Sequence, residues 1–137
     1  MPLSSMVVSR DWQEVSVLEC ILGSLQMNVT IEREPQRALS RLSRSGVDAL
    51  IVDCDLNGTL ELLREIPGLR KHAKALPLVL MGGGSRQAQD LEKSGALFAF
   101  DKPVSAEQAL RTLSAARDLI VDGRNRQGRA AVQYQHR

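Results

Sequence analysis

The segment Val47-Asp48-Ala49-Leu50-Ile51-Val52-Asp53-Cys54-Asp55 carries the strongest chemical signal in the chain. A short apolar run, Ala49 to Val52, leads straight into a carboxylate. Runs of this kind suit a strand buried on both faces of a parallel sheet. A carboxylate just past the run stands at the carboxyl end of a central strand, the edge where open α/β sheets bind ligands and carry out chemistry. Asp53 is therefore the residue around which the other candidates are read. Competing chemistries find little support. Gly82-Gly83-Gly84 lacks the Gly-Lys-Ser/Thr ending of a phosphate loop and reads as a flexible connection. His72 and His136 have no partners at zinc-ligand spacing. Cys20 and Cys54 form neither a C-x-x-C pair nor a ligand pattern, and read as reduced small residues. Trp12, just past the first apolar run, reads as a packing or rim residue.

Around Asp53 the chain alternates strand and helix. Met6-Val7-Val8 is a first strand, with room for Leu3. Asp11 follows as a helix N-cap, with Glu14 at capping-box spacing. Val15, Leu18, Ile21, Leu22 and Leu25 then recur at helical spacing, which predicts a helix from Asp11 to Gln26. Met27 to Ile31 is a second strand. Pro35 opens a second helix that ends before Gly46. After the strand from Val47 to Cys54, Asn57-Gly58 marks a turn, and a third helix stops near Pro67-Gly68. Pro77 to Met81 is a fourth strand, Ser85 caps a fourth helix ending at Gly95, and Ala96 to Phe100 is a fifth strand. Ser105 caps a last helix, with Gln108 at capping-box spacing, running to about Val121. This alternation predicts a doubly wound α/β fold, a flavodoxin-like parallel sheet of five strands with helices on both faces.

The chain's 137 residues, 43% hydrophobic and 25% charged, suit one domain with its own core. Aromatic residues make up only 3%, so that core must be aliphatic. No apolar run approaches the roughly 18 residues that span a bilayer, and the N-terminus lacks the pattern of a signal peptide. The expectation is a cytoplasmic protein without membrane contact. The net charge of +2 is uneven: four arginines and no acids follow Gly123, leaving 14 basic and 16 acidic residues in the body. Residues 123–137 therefore read as a basic, solvated linker or tail, a removed output domain beyond it being one of the readings left open. The body is assigned to residues 1–122.

The strand ending in Asp53, the strand Pro77-Leu78-Val79-Leu80, Ser94-Gly95-Ala96 and the strand ending in Lys102-Pro103 occur at mutually consistent spacings. Together they resemble the receiver domain of two-component response regulators, from Met6 to about Val121. The resemblance implies the strand order 2-1-3-4-5. It places Asp53 at the phosphoryl-accepting aspartate, Lys102 at the family's lysine, and Pro103 at the proline usually preceded by a cis peptide bond. It also implies Mg²⁺, bound by the acceptor, by a pair of acids after the first strand, and by a backbone carbonyl two residues past the acceptor.

The chain departs from that pattern. Ser9 and Arg10 stand at the acid pair, with Asp11 one place late. Gly82 stands at the phosphate-gripping hydroxyl, Ala99 at the switch aromatic, and Asn57-Gly58 where the family has a proline. This is the pattern of a degenerate, or pseudo-, receiver. Such a domain is non-enzymatic, has no cofactor, and acts through protein contacts with a histidine kinase, an output domain or a second copy. Nucleic acid is expected only through the missing output domain. Arg10 is expected to sit where Mg²⁺ would and pair with Asp53, the alternative being a solvated Arg10 at the strand's end; Arg10 or Lys102 is expected within salt-bridge reach of Asp53. At ~4 Å and an effective dielectric of ~20 that attraction is about 4 kcal/mol before the cost of desolvation. The alternative is an active receiver phosphorylated on Asp53, its metal site rescued by Asp55 and Asp11. A weak homodimer is expected through the helix over 85–95, the fifth strand and the last helix, whose exposed charges include Arg86, Asp90, Lys93, Arg111, Arg117 and Asp118.

Overall fold

In the computed structural model the residues described are 2–69, 77–82 and 98–135. Among them the elements are β1 (Leu3–Val8), α1 (Trp12–Ser24), β2 (Met27–Glu32), α2 (Pro35–Arg44), β3 (Ala49–Asp53), α3 (Thr59–Leu69), β4 (Leu78–Met81), β5 (Phe98–Phe100) and α4 (Ala106–Gln135). All strand pairs are parallel, in the order β2-β1-β3-β4-β5. The architecture is the doubly wound, flavodoxin-like sheet that the alternation predicts. The fourth predicted helix lies outside the described residues, with Arg86, Asp90, Lys93 and the Ser94-Gly95-Ala96 motif. His72, His136, Gly83 and Gly84 lie outside them too.

Strand periodicity divides the core between the two faces of the sheet. Val7, Ile51, Val79 and Met81 pack with Val15, Leu18 and Leu22 of α1 and with Ala109, Leu113 and Ala116 of α4. Met6, Val8, Leu50 and Val52 pack with Ala38 and Leu42 of α2 and with Leu62, Leu63 and Ile66 of α3. The register aligns Val8 with Val52, Asp53 with Met81, and Met81 with Phe100. The residues just past these strands, Ser9, Cys54, Gly82 and Asp101, thus share one edge. The chain leaves β1 toward one face and β3 toward the other. The gap between their carboxyl ends is therefore the switch point at which such sheets bind ligands.

Two boundaries differ from expectation. Helix α3 continues through Pro67-Gly68 to Leu69. Helix α4 passes Val121 and Gly123 and reaches Gln135, so residues 123–135 of the stretch read as a linker are helical. Arg124 helps to hold this continuation: its Nη2 lies 2.7 Å from Asp48 Oδ1. Asp48 in turn accepts from the Ser4 N–H at 2.8 Å, which ties the helix to the amino edge of the sheet.

Candidate functional site

Asp53 ends β3 at the switch point and is buried, 4% exposed. Burial demands partners for both of its oxygens. The Lys102 ammonium donates to Oδ1 and Oδ2, each at 2.9 Å, and the Asp55 N–H donates to Oδ1 at 2.9 Å. Below the carboxylate, the Thr59 hydroxyl donates to the Asp53 carbonyl at 2.9 Å and fixes the start of α3. Lys102 follows β5 and precedes a cis peptide bond to Pro103, as the resemblance implies. Its Nζ also reaches Asp55 Oδ2 at 3.1 Å and lies 3.7 Å from Glu14 Oε1.

Gly82 explains how the lysine stem gets there. A Cβ built on Gly82 would stand 2.5 Å from Lys102 Cδ and 3.0 Å from its Cγ, and the residue has φ +72°. The missing side chain is thus the room through which Lys102 reaches the carboxylates. Sequence reading placed a lost phosphate grip at this position; the structure adds a reason for glycine.

Glu14 is the residue that sequence reading missed. Its capping-box spacing suggested a local role, but only half of that cap forms. Asp11 Oδ1 accepts from the N–H groups of Gln13 and Glu14 at 2.9 and 3.3 Å, while the Asp11 N–H donates to Ser9 Oγ. The Glu14 side chain instead turns toward Lys102 with only 8% of its surface exposed. Its Oε2 is buried and has no hydrogen-bond partner among the described residues. A glutamate one helical turn past the first strand, on the side facing the carboxyl edge, was the available signal.

The charges of the cluster shape its titration. Burial pushes the Glu14 carboxyl up from its ordinary 4.5; Lys102 opposes this, and Asp53, Asp11 and Asp55 reinforce it. Burial alone would lower Lys102, but its hydrogen bonds to Asp53 and Asp55 and the charges of Asp53 and Glu14 push it up. Burial, then the charges of Asp53 and Asp55, push the Cys54 thiol up to about 11, which keeps it protonated and unreactive. A raised carboxyl stabilises the fold fully below its unfolded pKa, and that contribution is lost as pH rises through the folded value. Glu14→Gln should therefore gain stability relative to the wild type as pH climbs from 4.5, then hold a constant advantage. Urea midpoints across a pH series check this; a gap that narrows with rising pH would contradict it.

The other positions that sequence reading singled out fall as follows. Ser9 is 1% exposed, its hydroxyl used by the Asp11 backbone. Arg10 does not enter the pocket, contrary to expectation. It forms an ion pair with Glu34, and its Nε donates to the Arg33 carbonyl at 3.2 Å. Both partners lie at the end of β2, on the outer side of β1, and this arrangement leaves Arg10 half exposed without the desolvation that pairing with Asp53 would cost. Asp11 is engaged as the N-cap of α1. Ala99 is exposed on β5. Trp12 is a rim residue, 64% exposed, with the Arg33 guanidinium 5.8 Å from its ring centre. Arg117 is not a free surface charge: it donates to the Leu25 carbonyl at 3.0 Å and ties α4 to the end of α1.

The residues present do not fit a Mg²⁺ ion as they stand. The usual acid pair is a buried serine and an outward arginine, Asp11 caps a helix, and an ammonium lies among the remaining carboxylates. Among the described residues, no three His, Cys, Asp or Glu side chains converge in a way that would hold a metal ion.

No protein-family model and no curated protein matches this sequence. Solved structures do match. A CheY-like response regulator receiver domain protein from Methanospirillum hungatei superposes with a TM-score of 0.77 at 16% identity, covering 90% of this chain and 99% of that one. The chemotaxis response regulator CheY4 of Vibrio cholerae gives 0.73 at 16% identity, covering 85% and 99%. NtrX from Brucella abortus gives 0.76 at 21% identity; 93% of this chain is covered, but only 29% of NtrX. In strand order, crossovers and overall likeness, the chain has the fold of response-regulator receiver domains.

Proposed function

We propose that this chain is a regulatory receiver-like domain of two-component-type signalling that works through protein contacts, with its phospho-accepting site closed. One observation carries the reading: the Lys102 ammonium lies 2.9 Å from both oxygens of Asp53, 3.1 Å from Asp55 and 3.7 Å from Glu14, so the charge of Asp53 is already paired. With Ser9 and Arg10 in place of acids, nothing at those two positions draws a divalent ion in to replace it. Partners of the classes named by the resemblance, a histidine kinase or an output domain, would then read the surface of the fold rather than a phosphorylation switch.

The surface around β5 and α4 suits such contacts. Leu110 is 43% exposed and Leu119 46% exposed on α4. Arg111 and Glu107 make only a long, solvent-exposed pair at 3.9 Å. Exposed pairs contribute little, so self-association on this face would be weak and would weaken further with salt.

Incubation with acetyl phosphate and Mg²⁺, followed by intact mass measurement, tests the proposal. The expected result is no gain of a phosphoryl group. The second reading, an active acceptor at Asp53, draws on Glu14, whose Oε1 lies 3.7 Å from the Lys102 ammonium and whose buried Oε2 has no hydrogen-bond partner among the described residues. It predicts a Mg²⁺-dependent mass gain that Asp53→Asn abolishes.

A further inference from the structure

We propose that the surface formed by α2 and the start of α1 binds single-stranded nucleic acid, with Trp12 as a stacking platform and Arg33, Arg37 and Arg44 as phosphate contacts. The inference goes beyond the reading above and does not depend on whether the Asp53 site is closed.

Charge locates the surface. Helix α2 contains three arginines and no acid. Arg37, Arg41 and Arg44 stand at i, i+4 and i+7, so they share one face, and all three are exposed. They span about 10 Å along the helix axis. Arg33, just before the N-cap Glu34, extends the row toward α1. Two glutamates answer part of this charge: Glu32 pairs with Arg41, and Glu34 pairs with Arg10. Arg33, Arg37 and Arg44 form no ion pair among the described residues, and Arg44 donates only to Ser40 one turn earlier. Helix stability does not account for Arg37, because the helix dipole disfavours a cation in the first turn. The body holds 14 basic and 16 acidic residues, so this row is a positive island on a negative domain. A patch of that kind draws polyanions.

Trp12 decides which polyanion. It is 64% exposed at the start of α1, and the Arg33 guanidinium lies 5.8 Å from its ring centre. An open indole beside a row of arginines matches sequence-tolerant single-strand binders, in which bases stack on aromatic rings and cations follow the phosphates. A membrane surface fits less well. It would need an apolar helix face to insert, and that of α2, Ala38 and Leu42, is packed in the core. An acidic protein would engage the arginines but would bring no base to the indole.

Trp12 is the chain's one tryptophan, so its emission reports stacking directly. Added to the full chain in about 50 mM salt, an oligothymidylate of about 20 nucleotides should quench that emission. Raising the salt to about 200 mM should weaken binding about 20-fold for three phosphate contacts. Arg37→Gln/Arg44→Gln should shrink this salt effect to about threefold, and Arg37→Gln alone, should the double variant not fold, to about sevenfold. Trp12→Ala, followed by the anisotropy of a labelled oligothymidylate, should bind at least about fivefold more weakly. An oligonucleotide that leaves Trp12 emission unchanged would overturn the proposal. So would binding that survives Arg37→Gln/Arg44→Gln but is lost in Arg126→Gln/Arg129→Gln, which would place it on residues 123–135. Equal quenching by polyglutamate or by phosphatidylserine vesicles would overturn it too, in favour of an acidic protein or a membrane.

Discussion

Lys102→Met should destabilise the domain by about 3 kcal/mol in metal-free buffer, measured by urea denaturation in the presence of a chelator. The reasoning starts from Asp53, 4% exposed and holding two hydrogen bonds from the ammonium. Methionine keeps most of the stem but removes the charge, which leaves a buried carboxylate with the Asp55 N–H as its remaining donor among the described residues. Breaking a buried pair from one side costs ~3–5 kcal/mol, because the remaining charge stays desolvated. The lysine side chain is 23% exposed, so the lower end of that range applies. Asp55, with 57% of its side chain exposed, gives the contrast. Asp55→Asn should cost less than about 1 kcal/mol, as exposed pairs do. A Lys102→Met variant within about 1 kcal/mol of the wild type would mean that the pair does not hold the site together.

Gly82→Ala should cost a similar amount, about 3 kcal/mol, through two effects that add. At φ +72° an L side chain is strained, which costs ~1–2 kcal/mol. The added Cβ would also stand 2.5 Å from Lys102 Cδ, a separation that packed atoms do not adopt, so the lysine stem must move. Because the ammonium is anchored to Asp53 and Asp55, that movement loosens the pair. The double variant Gly82→Ala/Lys102→Met separates the two effects. Its loss should be clearly smaller than the sum of the single losses, since both act on one interaction. Strict additivity would show that Gly82 serves the backbone alone.

The legible parts of this molecule are those written in local pattern. The apolar run into Asp53 announced a strand buried on both faces, and β3 is buried from Ala49 to Asp53. The alternation of strands and helices gave a parallel sheet, the family resemblance gave its strand order, and Lys102-Pro103 after the last apolar run placed the lysine at the same edge as Asp53. Long-range choices were not legible. Whether Glu14 folds back on its own cap or reaches out depends on Lys102, which lies far along the chain. Arg10 faced the same kind of choice and went to Glu34 and the Arg33 carbonyl, where it stays solvated. The end of α4 was misread because composition is a weak guide there. Arginine, glutamine and alanine suit a helix as well as a linker, and the Arg124–Asp48 contact holds the helix where it passes the sheet.

The most direct test of the closed site is a crystal structure grown with millimolar Mn²⁺, with anomalous scattering recorded at the metal's absorption edge. The account predicts no anomalous peak between Asp53 and Asp55, and Lys102 Nζ in salt-bridge contact with both, as at 2.9 and 3.1 Å here. A manganese ion on Asp53, with Lys102 swung away from it, would contradict the account and leave Asp53 open to phosphorylation.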